Sequence, residues 1–297
     1  MGLKTMRDNA RIILLDIGGT FVKSALGIAG KGAVEGTFES VPISSEGTVE
    51  QIEYSFQESV RLQKAKAQKN GFAVEAICAA LPGPFDYKNG IFMMKHKFAA
   101  VYGRGFREIL GDEIGPEVRL SFVHDVNSVL LGALSSDPFL MEGRVALTTL
   151  GTGLGFAYAV DGEVQLSFTG SPAKGLWNLP YLEGILEDYV SRRAILRFYS
   201  EMGGVLSEGQ DVKEIAGWAM TGDEKAKEAF RMVGRHYAVG ARGLLRELGI
   251  SRLFFAGQIA KSFFLMEDEI KKGLADDITI FVLDDIQGTV FTGLSNI

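Results

Sequence analysis

The stretch Asp16-Ile17-Gly18-Gly19-Thr20 is a glycine-rich turn between two apolar, strand-like runs, Arg11 to Leu15 and Phe21 to Ile28. A second turn of the same kind, Leu150-Gly151-Thr152-Gly153-Leu154-Gly155, also lies between two strand-like runs. Neither turn carries the Gly-Lys-Ser/Thr of a Walker loop, and neither leads into the helix of a dinucleotide fingerprint. Both are therefore predicted to be hairpin turns, and their recurrence indicates a duplicated fold.

Turns with so few side chains let backbone N–H groups approach phosphate oxygens closely, and a threonine hydroxyl adds a further donor. Either turn alone is also compatible with an ordinary tight hairpin, but two such turns, each after a buried strand, favour a polyphosphate held between two halves. The residues expected to bind phosphate are Gly18, Gly19, Thr20, Gly151, Thr152, Gly153 and Gly155.

Two aspartates stand beside these predicted elements. Asp16 ends an apolar strand, where a buried carboxylate is costly unless it is paired or binds a cation. Next to phosphates, Mg²⁺ bound directly or through water explains such a carboxylate. Asp125 lies where the strand Val118 to Val123 meets a helix; from the residues alone, a helix N-cap is the favoured interpretation.

Composition limits the classes of function. The chain has 297 residues, 46% of them apolar, which is enough for two domains. A net charge of −6 provides no basic footprint for nucleic acid or an anionic membrane. A single cysteine, Cys78, excludes a disulfide framework and a cysteine-cluster zinc site. We expect no signal peptide in Met1 to Asn9 and no membrane-spanning segment, hence a cytoplasmic protein.

Short apolar runs alternate with longer amphipathic ones, which favours an α/β fold. Further strands are predicted over Ala33 to Ser40, Val74 to Leu81, Val118 to Val123, Arg144 to Leu150, Phe156 to Val160, Arg252 to Phe255 and Ile278 to Leu283. Helices are predicted over Val49 to Lys69, Asn127 to Leu134, about Leu182 to Met202, Lys225 to Leu248 and at the C-terminus.

Four motifs, and their order along the chain, resemble those of the ROK (repressor, open reading frame, kinase) family of actin-like sugar kinases, over essentially the whole chain. In chain order they are the first glycine turn, Pro82-Gly83-Pro84 with Asp86 and Gly90, the second glycine turn, and Phe254-Phe255-Ala256-Gly257-Gln258-Ile259-Ala260. The resemblance implies an α/β, actin-like (ribonuclease H-like), duplicated two-lobed fold with ATP in the interdomain cleft. We expect a small lobe over residues 1–123 and a large lobe over 124–285, with the helix of about 286–297 returning to the first.

The resemblance also implies an ATP- and Mg²⁺-dependent sugar kinase that transfers the γ-phosphate to a hydroxyl of a hexose or hexose derivative. Asp125 matches the general base of the family, and Gly257 with Gln258 matches its adenosine side. Gly83, His124 and Glu187 match sugar-side positions, although His124 stands where the family usually has Asn or Asp.

The chain departs from the family in two places. The cysteine-rich zinc motif is missing, so no zinc site is expected, and Gly170 to Trp177 lacks the usual Glu-Gly-His. A catalytically silent sugar- or nucleotide-binding protein and an actin-like ATPase with a protein partner therefore stay open as alternatives. Repressors of the family carry a helix-turn-helix before the kinase-like body, for which a first strand at Arg11 leaves no room. The sugar, the choice between ATP and polyphosphate, and the oligomeric state stay open, homodimers being common among similar kinases.

Overall fold

The structure, a computed structural model, describes residues 9–274 and 277–297, except the side chain of Pro138. The segment before Asn9, for which no signal peptide was expected, lies outside the described residues. The chain forms two compact units. Unit 1 comprises the residues up to Met141, Gly162–Ala173 and Gln287–Ile297, and unit 2 comprises Glu142–Asp161 and Lys174–Ile286. No described helix is both long and apolar enough to cross a membrane.

Unit 1 is a mixed sheet with helices. Its strands are β1 (Arg11–Ile17), β2 (Phe21–Ile28), β3 (Gly32–Ala33), β4 (Glu39–Pro42), β5 (Ala76–Leu81), β6 (Phe85–Asp86), β7 (Ile91–Phe92) and β8 (Arg119–His124). Its helices are α1 (Val49–Lys69), α2 (Phe106–Leu110), α3 (Asp125–Ser136) and most of the C-terminal helix Ile286–Leu294, with short 3₁₀ helices at Ala99–Val101, Gly111–Glu113 and Pro138–Met141.

The sheet of unit 1 runs in the order β3-β2-β1-β5-β8, with β4 also paired to β2. β1 and β2 form an antiparallel hairpin, whereas β1, β5 and β8 are parallel neighbours. Parallel strands need both faces covered, and β5 is accordingly buried at all six positions. Helix α1 covers one face; a capping box between Thr48 and Gln51 satisfies its first N–H groups.

Unit 2 repeats this arrangement. Its strands are β9 (Arg144–Leu150), β10 (Leu154–Val160), β12 (Pro180–Tyr181), β13 (Gly184–Ile185), β14 (Arg252–Ala256) and β15 (Thr279–Val282); the short strand β11 (Glu163–Val164) belongs to unit 1. Its helices are α4 (Arg192–Glu201), α5 (Val212–Met220), α6 (Glu224–Glu247) and α7 (Glu267–Gly273), with 3₁₀ helices at Leu186–Asp188 and Ile259–Leu265; the C-terminal helix Ile286–Leu294 is α8.

The duplication indicated by the two turns is present in the sheets. The order β10-β9-β14-β15 in unit 2 matches β2-β1-β5-β8 in unit 1, again with one antiparallel hairpin followed by two parallel neighbours. β1 and β9 have the same succession of buried and exposed positions along their seven residues. Each sheet therefore places a glycine turn immediately after its central hairpin strand.

Most predicted elements are confirmed within two residues, but two predictions need correction. The strand predicted over Ala33 to Ser40 is two short strands, β3 and β4, because Gly36 adopts a positive φ of 72° between them. The helix predicted from about Leu182 begins only at Arg192. The segment before it forms the β12–β13 hairpin, with Leu182 at a positive φ of 49°.

Unit 1 includes α3 together with most of α8, and the expected lobe boundary at 123/124 stays a prediction. α3 and α8 make a close contact in which two glycines remove the side chains. A Cβ atom on Gly132 would lie 1.9 Å from the carbonyl oxygen of Thr289, and one on Gly293 would lie 1.9 Å from that of Ser128. The contact fixes α3, which begins with Asp125, against the C-terminal helix.

Gly293→Ala should therefore destabilise the protein, because a methyl group there can be accommodated only if one helix moves. We expect a loss of about 1–3 kcal/mol in the free energy of unfolding, measured by urea denaturation followed by circular dichroism. Gly243→Ala is the matched control, since Gly243 is also helical but has no atom within 4 Å of its missing Cβ. That control should be stabilised by up to about 1 kcal/mol. Equal stability of the two variants would contradict the close packing of α3 and α8.

Candidate active site

The parallel strands of unit 1 bring the predicted site residues to one edge of its sheet. Asp16 on β1 pairs with Ala80 on β5, and Leu81 on β5 pairs with His124 on β8. Asp16 and Asp125 consequently leave the sheet two strands apart, roughly 10 Å at a strand spacing of about 4.8 Å. The carboxyl edge of parallel strands is where α/β proteins bind their ligands.

The first glycine turn keeps backbone donors available at this edge. The Gly18 N–H donates to the carbonyl of Phe21 and closes the hairpin, while Ser45 N–H donates to the carbonyl of Gly19. In the described chain, the N–H groups of Gly19 and Thr20 donate to no protein acceptor, and Thr20 is exposed. Two adjacent free N–H groups and a hydroxyl can bind an anion such as a phosphate.

Asp16 is a partly buried acid beside this turn, with 20% of its side chain exposed. Burial raises the pKa of Asp16; Lys23, whose Nζ lies 4.0 Å from a carboxylate oxygen, lowers it, and the charge of Asp125 raises it further. The net direction is upward. The ionised form of Asp16 therefore lacks sufficient positive charge around it.

The surroundings of Asp16 fit a divalent cation. Gln287 of α8 adjoins Asp16 and lowers the pKa of Asp16 weakly, but neither polar atom of its buried amide makes a hydrogen bond of normal geometry. A carboxylate oxygen and an amide oxygen are ligands of the kind Mg²⁺ takes, together with water and substrate phosphates. No cluster of three or more His, Cys, Asp or Glu side chains that could hold a metal ion occurs in the described part of the chain.

Asp125 is the first residue of α3 and is directly engaged by His124. The Nδ1 atom of His124 lies 2.8 Å from Oδ1 of Asp125, and the N–H of Val126 donates to the same oxygen at 2.7 Å. Burial alone would raise the pKa of Asp125, but His124, the Val126 N–H and Lys97 together hold it below its ordinary value. A pKa below its ordinary value keeps the carboxylate ionised at neutral pH. With 43% of the side chain exposed, the carboxylate is also accessible.

Gly83 and Tyr87 border this pair. A Cβ atom on Gly83 would lie 3.6 Å from Nε2 of His124 and 3.4 Å from the Tyr87 hydroxyl, which donates to the carbonyl of Leu81. The rings of Tyr87 and His124 are 5.9 Å apart between centroids. Gly170, in the segment that lacks Glu-Gly-His, packs its backbone on Tyr87. Gly83, Tyr87 and His124 thus surround a small polar surface next to Asp125.

The second glycine turn, in unit 2, has the same open donors. The Gly151 N–H donates to the carbonyl of Gly153, whereas the N–H groups of Thr152 and Gly153 have no protein acceptor among the described residues. Gly155 is already part of β10 and pairs with Thr149. The turn is held from outside by Arg192, whose N–H donates to the Gly151 carbonyl.

Glu187 lies at the second turn. Its Oε2 accepts the Leu154 N–H at 2.9 Å, and its Oε1 lies 3.3 Å from Nη2 of Arg193. Within unit 2, Glu187 therefore supports the turn. The sugar contact implied by the resemblance stays a prediction.

Gly257 touches the start of the same turn. Its φ of 103° and the backbone of Leu150, 2.2 Å from a hypothetical Cβ, leave no room for a side chain. Ala256 pairs with Thr149, so β14 ends beside the turn, and Gln258 follows immediately at the start of a 3₁₀ helix.

Unit 1 thus brings together the first turn, Asp16, Asp125, His124 and Gly83, and unit 2 brings together the second turn, Glu187, Gly257 and Gln258. Sequence reasoning missed Gln287 and Tyr87. Gln287 carries no sequence signal, since only the fold brings α8 to β1. Tyr87 follows the Pro-Gly-Pro turn directly and could have been included on that ground.

Comparisons with known proteins bear on the fold. No protein-family model matches the sequence, and no curated protein does. Solved structures do match over nearly the whole chain. The ROK hexokinase of Thermus thermophilus is 20% identical, with a TM-score of 0.75, covering 96% of each chain. The ROK glucokinase of Streptomyces griseus, solved with glucose and AMPPNP, is 19% identical, with a TM-score of 0.76, covering 96% of this chain and 98% of its own.

A third match is a ROK family transcriptional regulator, a homolog of the E. coli MLC protein. It is 16% identical, with a TM-score of 0.79, and the match covers 97% of this chain and 78% of the regulator. These likenesses show the fold: the chain has the α/β, actin-like ATPase fold of the ROK sugar kinases. The fold class implied by the motifs is confirmed. Since kinases and a regulator share the fold, function has to be argued from the site.

Asp16→Asn should stabilise the protein at neutral pH without divalent cations, because it removes a buried charge and keeps the side-chain shape. A raised pKa in the folded state means that the wild type loses stability as pH rises from about 3.9 through the raised value. Asp16→Asn carries no ionisable group at this position, so it does not lose stability over this pH range. Its melting temperature should exceed that of the wild type by a few degrees at pH 7.5 and match it near pH 4.

The control for this prediction is Asp112→Asn, at an exposed aspartate of unit 1. Its melting temperature should follow that of the wild type at both pH values. Thermal unfolding in EDTA followed by circular dichroism provides the measurement. A difference between Asp16→Asn and the wild type that is the same at pH 4 and pH 7.5 would rule out a charge-dependent cost at Asp16.

Proposed function

We propose that the chain is a ROK family sugar kinase that uses ATP to phosphorylate a hydroxyl of a hexose or hexose derivative. One observation carries the proposal: the carboxyl edge of the unit 1 sheet combines an ionised, accessible Asp125 with a glycine turn whose N–H groups are free. A phosphoryl transferase needs both a group that accepts the hydroxyl proton and donors for phosphate oxygens. The likeness to a glucokinase solved with glucose and AMPPNP supports the same reaction.

Asp125 is the proposed general base. As the bond between the sugar oxygen and the γ-phosphorus forms, the bond from that phosphorus to the β–γ bridging oxygen breaks and ADP leaves. The hydroxyl proton passes to Oδ2 of Asp125, the oxygen not held by His124 and Val126, and then to water. Phosphoryl transfer has a loose transition state, so Asp125 mainly orients the hydroxyl and takes its proton late.

The remaining residues are assigned to binding. The turn residues Gly18, Gly19, Thr20, Gly151, Thr152, Gly153 and Gly155 adjoin the phosphates, whose oxygens accept hydrogen bonds from the free N–H groups of Gly19, Thr20, Thr152 and Gly153. Gly257 and Gln258 adjoin the adenosine. Gly83, His124 and Glu187 contact the sugar. Mg²⁺, when bound, neutralises phosphate charge, and Asp16 would hold it directly or through water, with the unpaired Gln287 amide beside it.

Sugar-dependent release of ADP tests this function. The purified protein, Mg²⁺ and ATP or inorganic polyphosphate are incubated with hexoses, aminosugars, N-acetylated sugars and sugar acids in turn. Lys97 faces Asp125, which is why anionic sugars belong in the panel. A kinase releases ADP only with sugar, an ATPase releases it without sugar, and a binding protein releases none. Either of the last two results would overturn the kinase proposal.

A catalytically silent binding protein is the second candidate, favoured by the likeness to a transcriptional regulator. In that case the same edge would bind a sugar or nucleotide without turnover. Isothermal titration with the same sugars, combined with the absence of ADP release, would identify it.

Asp125→Asn should lower kcat by roughly 10²- to 10⁴-fold, because the amide cannot take the hydroxyl proton. ATP binding, followed by titration calorimetry, should stay within about twofold, since Asp125 makes no proposed contact with the nucleotide. Asp112→Asn serves again as the exposed-aspartate control and should retain wild-type kcat. A near-normal kcat in Asp125→Asn would remove Asp125 from the role of base.

Gly151→Ala should weaken nucleotide binding about tenfold, equivalent to ~1.4 kcal/mol, without destabilising the protein. No atom lies within 4 Å of a Cβ at Gly151, so the methyl group fits the folded chain but occupies open space over the turn. Gly217→Ala in α5, also with open space at its Cβ, is the control. Unchanged nucleotide affinity in Gly151→Ala would argue against phosphate at the second turn.

A further inference from the structure

The carboxylate of Glu187 supports the second glycine turn from below its backbone. Oε2 of Glu187 accepts the Leu154 N–H at 2.9 Å. A Cβ atom on Gly153 would lie 2.5 Å from the same oxygen, so the carboxylate packs directly against the backbone of the turn. The direction of the free N–H groups of Thr152 and Gly153 therefore depends on where Glu187 is held.

The segment that carries Glu187 has little regular structure of its own. Glu187 lies in the 3₁₀ helix Leu186–Asp188, directly after the β12–β13 hairpin, whose strands pair at two positions. An isolated hairpin of this size is marginally stable at best. The Leu186 N–H donates to the carbonyl of Leu179, and the Glu187 N–H donates to that of Trp177. These bonds shape the segment locally, and contacts with another element have to fix its position.

Helix α6 provides this contact through two residues one turn apart. Leu186 is fully buried and packs on Gly240, where a Cβ atom would overlap Cδ1 of Leu186. His236, four residues earlier on the same face of α6, meets the Tyr181 hydroxyl, with 3.0 Å between Nδ1 and the oxygen. The helix thus holds the segment at β12 and again just after β13.

The His236 ring is the centre of an aromatic cluster. Its centroid lies 5.6 Å from that of Tyr181, 5.1 Å from that of Tyr189 and 5.4 Å from that of Phe198 on α4. The guanidinium carbon of Arg197 lies 5.1 Å from the Tyr189 centroid and 5.0 Å from the Phe198 centroid. Aromatic rings pack well in more than one orientation, whereas a hydrogen bond fixes a distance and an angle. The bond between Tyr181 and His236 therefore fixes where the hairpin lies on the helix.

We propose that Tyr181 and His236 are positioning residues for nucleotide binding: their hydrogen bond fixes the hairpin on α6 and thereby holds the Glu187 carboxylate against the second glycine turn. The nucleotide part of this inference rests on the proposed function, in which the N–H groups of Thr152 and Gly153 bind phosphate oxygens. Tyr181 and His236 are assigned no contact with the nucleotide and act through Glu187.

Tyr181→Phe removes the hydroxyl and keeps the ring of the cluster. The Kd of AMPPNP with Mg²⁺, measured by titration calorimetry without sugar, should rise about three- to tenfold, the effect of one hydrogen bond. Tyr199→Phe is the matched control, because it removes another hydroxyl of unit 2, which donates to Asp223 at 3.2 Å. Its Kd should equal that of the wild type. An unchanged Kd in Tyr181→Phe, or the same rise in both variants, would overturn the positioning role.

Double variants show whether the effect passes through Glu187. In Glu187→Ala the support of the turn is already gone, so adding Tyr181→Phe should not raise the Kd further. His236→Phe should reproduce the Kd of Tyr181→Phe, and the two together should bind no more weakly than either alone, because one bond is lost in all three. Multiplied losses in either double variant would overturn the inference.

Hydrogen exchange of the Leu154 amide, followed by NMR without nucleotide, gives a readout that does not depend on binding. The amide donates to Glu187, so it should exchange about fivefold faster in Tyr181→Phe and at the wild-type rate in Tyr199→Phe. A wild-type rate in Tyr181→Phe would overturn the inference. If the protein binds no nucleotide, the proposed phosphate site fails, and this exchange rate still decides whether the bond between Tyr181 and His236 holds Glu187 in place.

Discussion

Two carboxylates at one edge of a parallel sheet are the constraint on which the site depends. Because β1, β5 and β8 run in the same direction, Asp16 and Asp125 end on the same side with like charges. The two carboxylates have different surroundings: Nζ of Lys23 lies 4.0 Å from Asp16, whereas Nδ1 of His124 lies 2.8 Å from Asp125. Their pKa values consequently move in opposite directions. Two carboxylates with pKa values shifted apart suit two different tasks: Asp16 would bind a cation, and Asp125 would accept a proton.

The duplicated hairpins show that similar backbones carry different chemistry. β1 and β9 share a burial pattern, but the sixth position is Asp16 in one and Thr149 in the other. Unit 2 therefore has no strand carboxylate beside its turn, and Glu187 approaches that turn from a different segment. The free N–H groups are common to both turns, since they follow from the hairpin geometry alone. On the proposed function, the repeated turn would bind phosphate, whereas the acid–base chemistry would belong to unit 1.

Local patterns in the sequence were enough to locate most elements, and contacts distant in sequence were not. Helix α1 was predicted to the residue, because its apolar periodicity lies within Val49–Lys69. The stretch from about Leu182 failed because its apolar spacing resembles a helix, while Leu182 itself adopts a positive φ in a hairpin. At the site, motif order identified the turns and Asp125. Proximity of Gln287 to Asp16 depends on the glycine contact between α3 and α8, which no local pattern reveals.

The histidine at position 124 links the two departures from the family pattern. The segment from Gly170 to Trp177 has lost the usual Glu-Gly-His, and the structure fills part of that place with the backbone of Gly170 against Tyr87. The ring of His124 lies 5.9 Å from that of Tyr87, and its Nδ1 atom lies 2.8 Å from Oδ1 of Asp125. On the proposed function, this histidine therefore stands between the altered loop and the base.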